Sequence, residues 1–213
     1  MLSTSSDTSG KGHGMTDPGI AALKKQLRDQ LRRQRLEHAE NLPPEVSALV
    51  FHRPPARALE LVPEGATVGL YRSDTGEAPS RGYIRFFFER GHPIALPRVT
   101  TLDQPMEFRR HTDPYAESDL EAGVWGLRQP GVEAPVVVPE VLFMPLVGFS
   151  AKGDRLGQGG GYYDRYLAAH PQTIAIGMAW DVQEVPELPT ELHDMRLSAI
   201  VTPTRVLGPF DPV

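Results

Sequence analysis

The sequence predicts an α/β layered fold built on a mostly parallel sheet, and three observations predict it. From residue 66 onward, strand-like and helix-like patterns alternate. Several strand candidates are apolar on both faces, as strands covered by helices on each side are, and "VLFMPLVGF" at 141–149 is the longest. That run leads through a glycine-rich loop, "RLGQGGG" at 155–161, into a helical pattern. At 213 residues, with no internal repeat, the chain suits one domain with a full core.

The elements follow in order. Residues 3–14, "STSSDTSGKGHG", carry no apolar side chain, so residues 1–16 are expected to be a disordered extension, with Met15 a candidate start, and residues 17–213 the single domain. Asp17 as N-cap and Pro18 at the first helical position predict a helix to about residue 38. Its apolar positions Ile20, Leu23, Leu27, Leu31 and Leu36 keep near one face. Short broken helices follow, divided by Pro54 and Pro55. "ATVGLY" reads as a strand, "PSRGYIRFFFERG" as a helix closed by Gly91, "HPIALP" as a strand and "MEFRR" as a short one. An irregular stretch runs to about residue 134. After the strand at 141–149 and the loop come a helix at 162–170 and the strands "TIAIGMAW" and "LSAIVTP".

Composition narrows the chemistry. Without cysteine, disulfides, thiolate nucleophiles and cysteine-based zinc sites are excluded. No apolar run approaches the roughly 20 residues of a membrane span, and a secretory signal core is missing, so a cytoplasmic protein with no membrane partner is expected. The segment "KKQLRDQLRRQR" at 24–35 carries +5 in a chain of net −5, which leaves −10 on the rest. Such a balance disfavours nucleic acid as a partner and points to an anion site or a solvated helix face.

The glycine loop carries the functional signal. Unhindered N–H groups in such a turn, together with the positive end of a helix dipole, form an anion cradle. Known templates do not fit. Tyr162 stands where a Walker loop or a dinucleotide fingerprint needs another residue, and Lys152 occupies the second glycine of a nucleophile elbow in "GFSAKG". Asp164, in the first turn of the following helix, either complements the dipole or holds Mg²⁺ beside bound phosphates. "ELHDMR" supplies a second carboxylate, Asp194.

The 23-residue stretch "PLVGFSAKGDRLGQGGGYYDRYL" closely resembles the signature of the 5-formyltetrahydrofolate cyclo-ligase family, and "KKQLR", "GE" at 76–77, "LPRV", "GVWGLRQPG" and "LHDMRLSAIVTP" extend the likeness from about residue 18 to near the end. The resemblance implies a three-layer α/β/α sandwich of the CoA transferase-like kind. It also implies an ATP- and Mg²⁺-dependent, C–N ring-closing ligase of one-carbon metabolism, with 5-formyltetrahydrofolate and ATP as partners and a monomeric state. By the same match, Lys24, Lys25 and Arg28 contact ATP phosphates. Arg155, Leu156, Gly157, Gln158, Gly159, Gly160, Gly161, Tyr162 and Tyr163 form the nucleotide loop, with Arg155 and Tyr162 in catalytic roles. Arg72, Glu77, Trp125 and the loop from Gln158 to Tyr162 border the folate, and Asp164 and Asp194 hold the metal. Trp125 reads equally as a half-buried core residue. Three positions depart from the family pattern: Gly160 where some members carry lysine, Ser198 where an acidic residue is usual, and Arg72 where some relatives are apolar. Two other readings remain open at this point, a folate- or nucleotide-sequestering module and a nucleic-acid binder built on the basic helix.

Overall fold

A computed structural model describes residues 18–101 and 104–210. The expected disordered extension, and Asp17 as N-cap, lie outside the described residues. Helix α1 spans Pro18–Asn41, α2 Pro44–Leu49 and α3 Ala56–Leu59. Strand β1 is Val68–Gly69, α4 Arg81–Glu89, β2 Ile94–Arg98, β3 Glu107–His111, β4 Leu120–Ala122 and β5 Arg128–Pro130. The second half holds β6 Val141–Pro145, β7 Gly148–Phe149, β8 Arg155–Leu156, α5 Tyr162–Ala169, β9 Ile174–Met178, β10 Ala199–Val201 and β11 Val206–Leu207.

Seven strands form one sheet in the order β11-β10-β9-β6-β1-β2-β3. The five inner strands run parallel, and the edge strands β11 and β3 pair antiparallel. The pleat sorts the side chains of β6. Val141 and Phe143 enter a core shared with Tyr83 and Phe87 of α4, while Leu142 and Met144 enter one shared with Tyr166 and Leu167 of α5. Helices therefore cover both faces, and the molecule is the α/β sandwich the sequence predicts. Phe143 is fully buried, with ring centroids 5.5 Å from Tyr83 and 5.4 Å from Phe87. Phe143→Ala is expected to cost about 3–5 kcal/mol in a urea unfolding titration; a loss under about 1 kcal/mol would show that this layer repacks.

The structure corrects three expectations. The run at 141–149 is not one strand. It breaks after Pro145, which has no N–H to continue the ladder, and Gly148–Phe149 pairs instead with Arg155–Leu156 in a separate two-stranded sheet. The stretch taken as irregular contains the antiparallel hairpin β4–β5. Helix α1 packs on only the middle of its leucine stripe, where Leu27 and Leu31 meet Val147 and Leu156. Leu23 is 57% and Leu36 37% exposed, whereas the residues it buries are Lys24, Leu31 and Arg35. Among the described residues, no helix is long and apolar enough to cross a membrane.

Chain direction locates the functional end. From β1 the chain crosses over α4 to β2 on one side, and from β6 it crosses through α5 to β9 on the other. The carboxyl ends of the neighbouring β1 and β6 thus flank a topological switch point, the crevice where open α/β sheets bind ligands.

Candidate functional site

A cleft of about 750 Å³ opens at this switch point. The segment after β1 brings Tyr71, Arg72 and Glu77; β2 and its exit bring Pro97 and Val99; the chain after β6 brings the whole glycine loop. α1 lies across it and contributes Lys24 and Arg28, one helical turn apart.

The loop is shaped for a close visitor. Gly159 has φ +106° and Gly161 φ +65°, backbone that side-chain-bearing residues rarely adopt, and a Cβ on Gly159 would stand 3.5 Å from the Arg28 guanidinium. Among the described residues, the N–H groups of Gly157 through Gly161 donate to no acceptor in the protein. Arg28 donates through Nε to the Gly157 carbonyl at 2.9 Å, and no described carboxylate lies within ion-pair distance of it. Burial, and then Arg32, pull its pKa down, against the opposing fields of Asp194, Glu191 and Asp164. Guanidinium and loop amides together form an anion cradle. Arg32 clamps the loop, with Nε 2.9 Å from Gln158 Oε1 and Nη2 2.8 Å from the Gln158 carbonyl.

Next to the cradle stand carboxylates. Asp164 accepts from Arg155 Nη2 at 2.5 Å and from the Met195 N–H at 3.2 Å, which sets it against the backbone just after Asp194. Lys24 Nζ sits 2.5 Å from Asp194 and 2.7 Å from Glu191. Ligand atoms of Glu191, His193 and Asp194 lie within 4.8 Å of one another. This set is rich in hard oxygen donors and free of thiolate, and suits Mg²⁺ better than a soft metal.

Opposite lies the hub of Glu77. Its Oε1 accepts from Gln158 Nε2 at 3.1 Å and faces Arg35 Nη1 at 3.5 Å, and its Oε2 accepts the Asp74 N–H at 3.0 Å. Burial pushes the Tyr163 phenol up, with the Glu77 charge adding to it, and the same two causes raise Tyr71, so both remain hydroxyl donors. Pro97, Val99, Met106, Val124 and Leu127 supply an apolar wall. At the mouth, Arg72 pairs with Glu117, and Glu117 also faces Arg128 at 4.0 Å.

The structure therefore brings together Lys24, Arg28, Arg72, Glu77, the loop 155–163, Asp164 and Asp194. Lys25 it does not: that side chain is 79% exposed and paired with Asp29 at 3.2 Å, away from the cleft. Leu156 packs beside Leu31 and Val147, with its side chain in the core. Trp125 falls in the 3₁₀ turn Val124–Gly126, but its side chain lies outside the described residues. Lys152 is 66% exposed, lies near Glu187 and does not line the cleft, so it does not make up for the lysine that some members carry at Gly160. At the second departure, the Ser198 hydroxyl accepts the Ala175 N–H at 3.2 Å. Sequence reasoning missed Arg32, Arg35 and Glu191. The first two continue the stripe Lys24–Arg28–Arg32–Arg35 at helical spacing, a signal that was present. That stripe is engaged by the protein's own carboxylates and carbonyls, which counts against reading α1 as a nucleic-acid face.

The comparisons agree on one family. Residues 20–203 match the model of the 5-formyltetrahydrofolate cyclo-ligase family. The 5-formyltetrahydrofolate cyclo-ligase of Escherichia coli K12 is 34% identical over 146 residues, covering 66% of this chain and 79% of that one. The enzyme of the same name from Haemophilus influenzae is 31% identical, over 68% of this chain and 80% of its own. Among solved structures, 5,10-methenyltetrahydrofolate synthetase of Aquifex aeolicus superposes with a TM-score of 0.71 at 27% identity, covering 90% of this chain and 95% of that one.

Proposed function

We infer the work of the cleft from one premise: this chain belongs to the 5-formyltetrahydrofolate cyclo-ligase family. It is an enzyme that converts 5-formyltetrahydrofolate to 5,10-methenyltetrahydrofolate. In our reading it does so in the cytoplasm, as a monomer, with ATP as co-substrate and Mg²⁺ as cofactor. The formyl oxygen attacks the γ-phosphorus and ADP leaves; N10 then attacks the activated carbon, loses its proton, and the C–O bond breaks to release phosphate. The observation that carries the assignment is the adjacency, in one cleft, of an anion cradle whose loop amides donate to no described acceptor and the carboxylates Asp164 and Asp194.

Such chemistry asks for position and charge neutralisation rather than a protein nucleophile. The loop amides and Arg28 bind the phosphates, and Arg155 is aimed at the transferred group with Tyr162 beside it. Asp164 and Asp194 would hold Mg²⁺, which when bound neutralises phosphate charge. Glu77 orients the pterin, the wall of Val99, Met106 and Leu127 receives its flat faces, and Arg72 meets substrate carboxylate at the mouth. Because the cradle is held from both sides, by Arg32 on α1 and by Glu77, substrate and nucleotide are brought together by one loop.

Mixing the protein with 5-formyltetrahydrofolate and Mg-ATP should produce the methenyl absorbance together with one phosphate per turnover. Binding of both compounds without phosphate release would make the chain a sequestering module instead. Arg28→Ala should raise the KM for ATP at least about tenfold, since a charge-assisted contact to phosphate is worth roughly 1.5–3 kcal/mol. The KM for the folate should move much less. An equal rise in both, in a protein with wild-type thermal stability, would take Arg28 out of the phosphate site.

A further inference from the structure

Lys24 holds an unusual position for a phosphate-binding residue. Its side chain is only 6% exposed, and its ammonium is shared between Glu191 at 2.7 Å and Asp194 at 2.5 Å. The same Asp194 oxygen also accepts the Glu191 N–H at 2.7 Å, and the Asp194 N–H returns to the Glu191 carbonyl at 3.0 Å. One short turn therefore presents two carboxylates to one buried cation. A cation that takes both oxygens of Asp194 has to compete with Lys24 for Oδ2. Had Lys24 a single partner, releasing Asp194 would strand a buried ammonium, which is strongly unfavourable. With two partners, one can leave while the other keeps the ammonium paired.

We propose that Glu191 is a positioning residue that keeps Lys24 paired, so that Asp194 is free to turn to the metal that accompanies the nucleotide. The inference rests on the reading of Asp194 as a magnesium ligand. Glu191 then acts through Lys24 and touches neither the substrate nor the transferred phosphoryl group. Its neighbour His193 is 65% exposed, with Nε2 3.9 Å from an oxygen of each carboxylate, beyond hydrogen-bond reach of either.

The test is binding of the β,γ-imido analogue of ATP, followed by calorimetry as MgCl₂ is varied, in the full chain. Glu191→Gln keeps size and loses charge. It should shift the magnesium midpoint upward by about tenfold or more, because Lys24 then holds Asp194 alone. Glu191→Asp should fall between the two, and supplies the reading if the glutamine variant does not fold. In a Lys24→Met background, the additional change Glu191→Gln should leave the midpoint where Lys24→Met alone puts it, since the residue it acts through is gone. An unchanged midpoint in Glu191→Gln overturns the proposal, and so does a shift of full size in the Lys24→Met background, which would make Glu191 a direct ligand. If the wild type binds the analogue equally well without magnesium, the metal reading itself falls and takes this inference with it. A magnesium-dependent wild type with an indifferent glutamine variant overturns the inference alone.

Discussion

Glu77→Gln should raise the KM for 5-formyltetrahydrofolate by roughly 10- to 100-fold, the range expected when a buried charged hydrogen bond is lost. The structure says why the KM for ATP should stay within about a few fold. The glutamine carbonyl can still accept from Gln158 Nε2, now 3.1 Å away, so the nucleotide loop keeps its anchor. What the variant loses is charge, and two groups feel it. One is the pterin, whose N–H donors we assign to this carboxylate. The other is Arg35, a buried guanidinium whose described counter-ion is Glu77 at 3.5 Å and whose Nε has no partner among the described residues. Thermal stability should therefore fall as well, by a few kcal/mol at most, because a buried charge loses its compensation. Steady-state kinetics in both substrates, alongside a thermal melt, separates the two effects. A lower melting temperature with an unchanged KM for the folate would reduce Glu77 to a counter-ion for Arg35.

What the sequence disclosed about this site, and what it hid, follow from the reach of local patterns. The alternation of strands and helices and the loop-to-helix junction are local, and the structure holds them where they were expected, apart from the break within 141–149 and the added short strands β4, β5, β8 and β11. Gly157 through Gly161 were legible because several adjacent glycines have few uses besides close approach. Lys24 and Arg28 were legible because a helical turn puts them on one face. Lys25 was misassigned for the complementary reason: its charge suits phosphate, but its place on the helix turns it to solvent beside Asp29. The packing of α1 was only partly legible: Leu27 and Leu31 do form an apolar seam, while Leu23 and Leu36 face outward. In the folded chain its inner face is also held by ion pairs from elements more than 40 residues away, through Lys24 to Glu191 and Asp194 and through Arg35 to Glu77. No periodicity within the helix encodes those partners. Likewise, "VLFMPLVGF" is uniformly apolar, so only the missing N–H of Pro145 marks where the ladder stops. The hairpin β4–β5 escaped because strands of three residues are too short to show an alternation.

The largest effects are expected from the pair Arg155–Asp164, where a structural and a functional role predict different things. Arg155 is 3% and Asp164 18% exposed in their side chains, and they meet at 2.5 Å. If the pair merely joins β8 to α5, then each single variant should lose stability, and removing both charges should restore stability and activity together. If Asp164 instead holds the magnesium and Arg155 faces the transferred phosphoryl group, stability and turnover part company. Asp164→Asn should then cut turnover by about 10²-fold or more, and Arg155→Met by roughly 10³-fold, because charge on the phosphoryl group is poorly neutralised. The asparagine oxygen can still accept the Met195 N–H at the same place, so the asparagine variant should fold. The double variant, with neither charge left buried, should recover most of the thermal midpoint lost by Arg155→Met and remain at least as inactive as the weaker single. The measurement is a thermal melt paired with phosphate release across a magnesium titration, and added magnesium should rescue Asp164→Asn in part but not Arg155→Met. Near-normal turnover of Asp164→Asn at low magnesium would remove the metal from this residue. A double variant that regains turnover along with stability would remove both residues from the chemistry and leave the pair as a brace beneath the glycine loop.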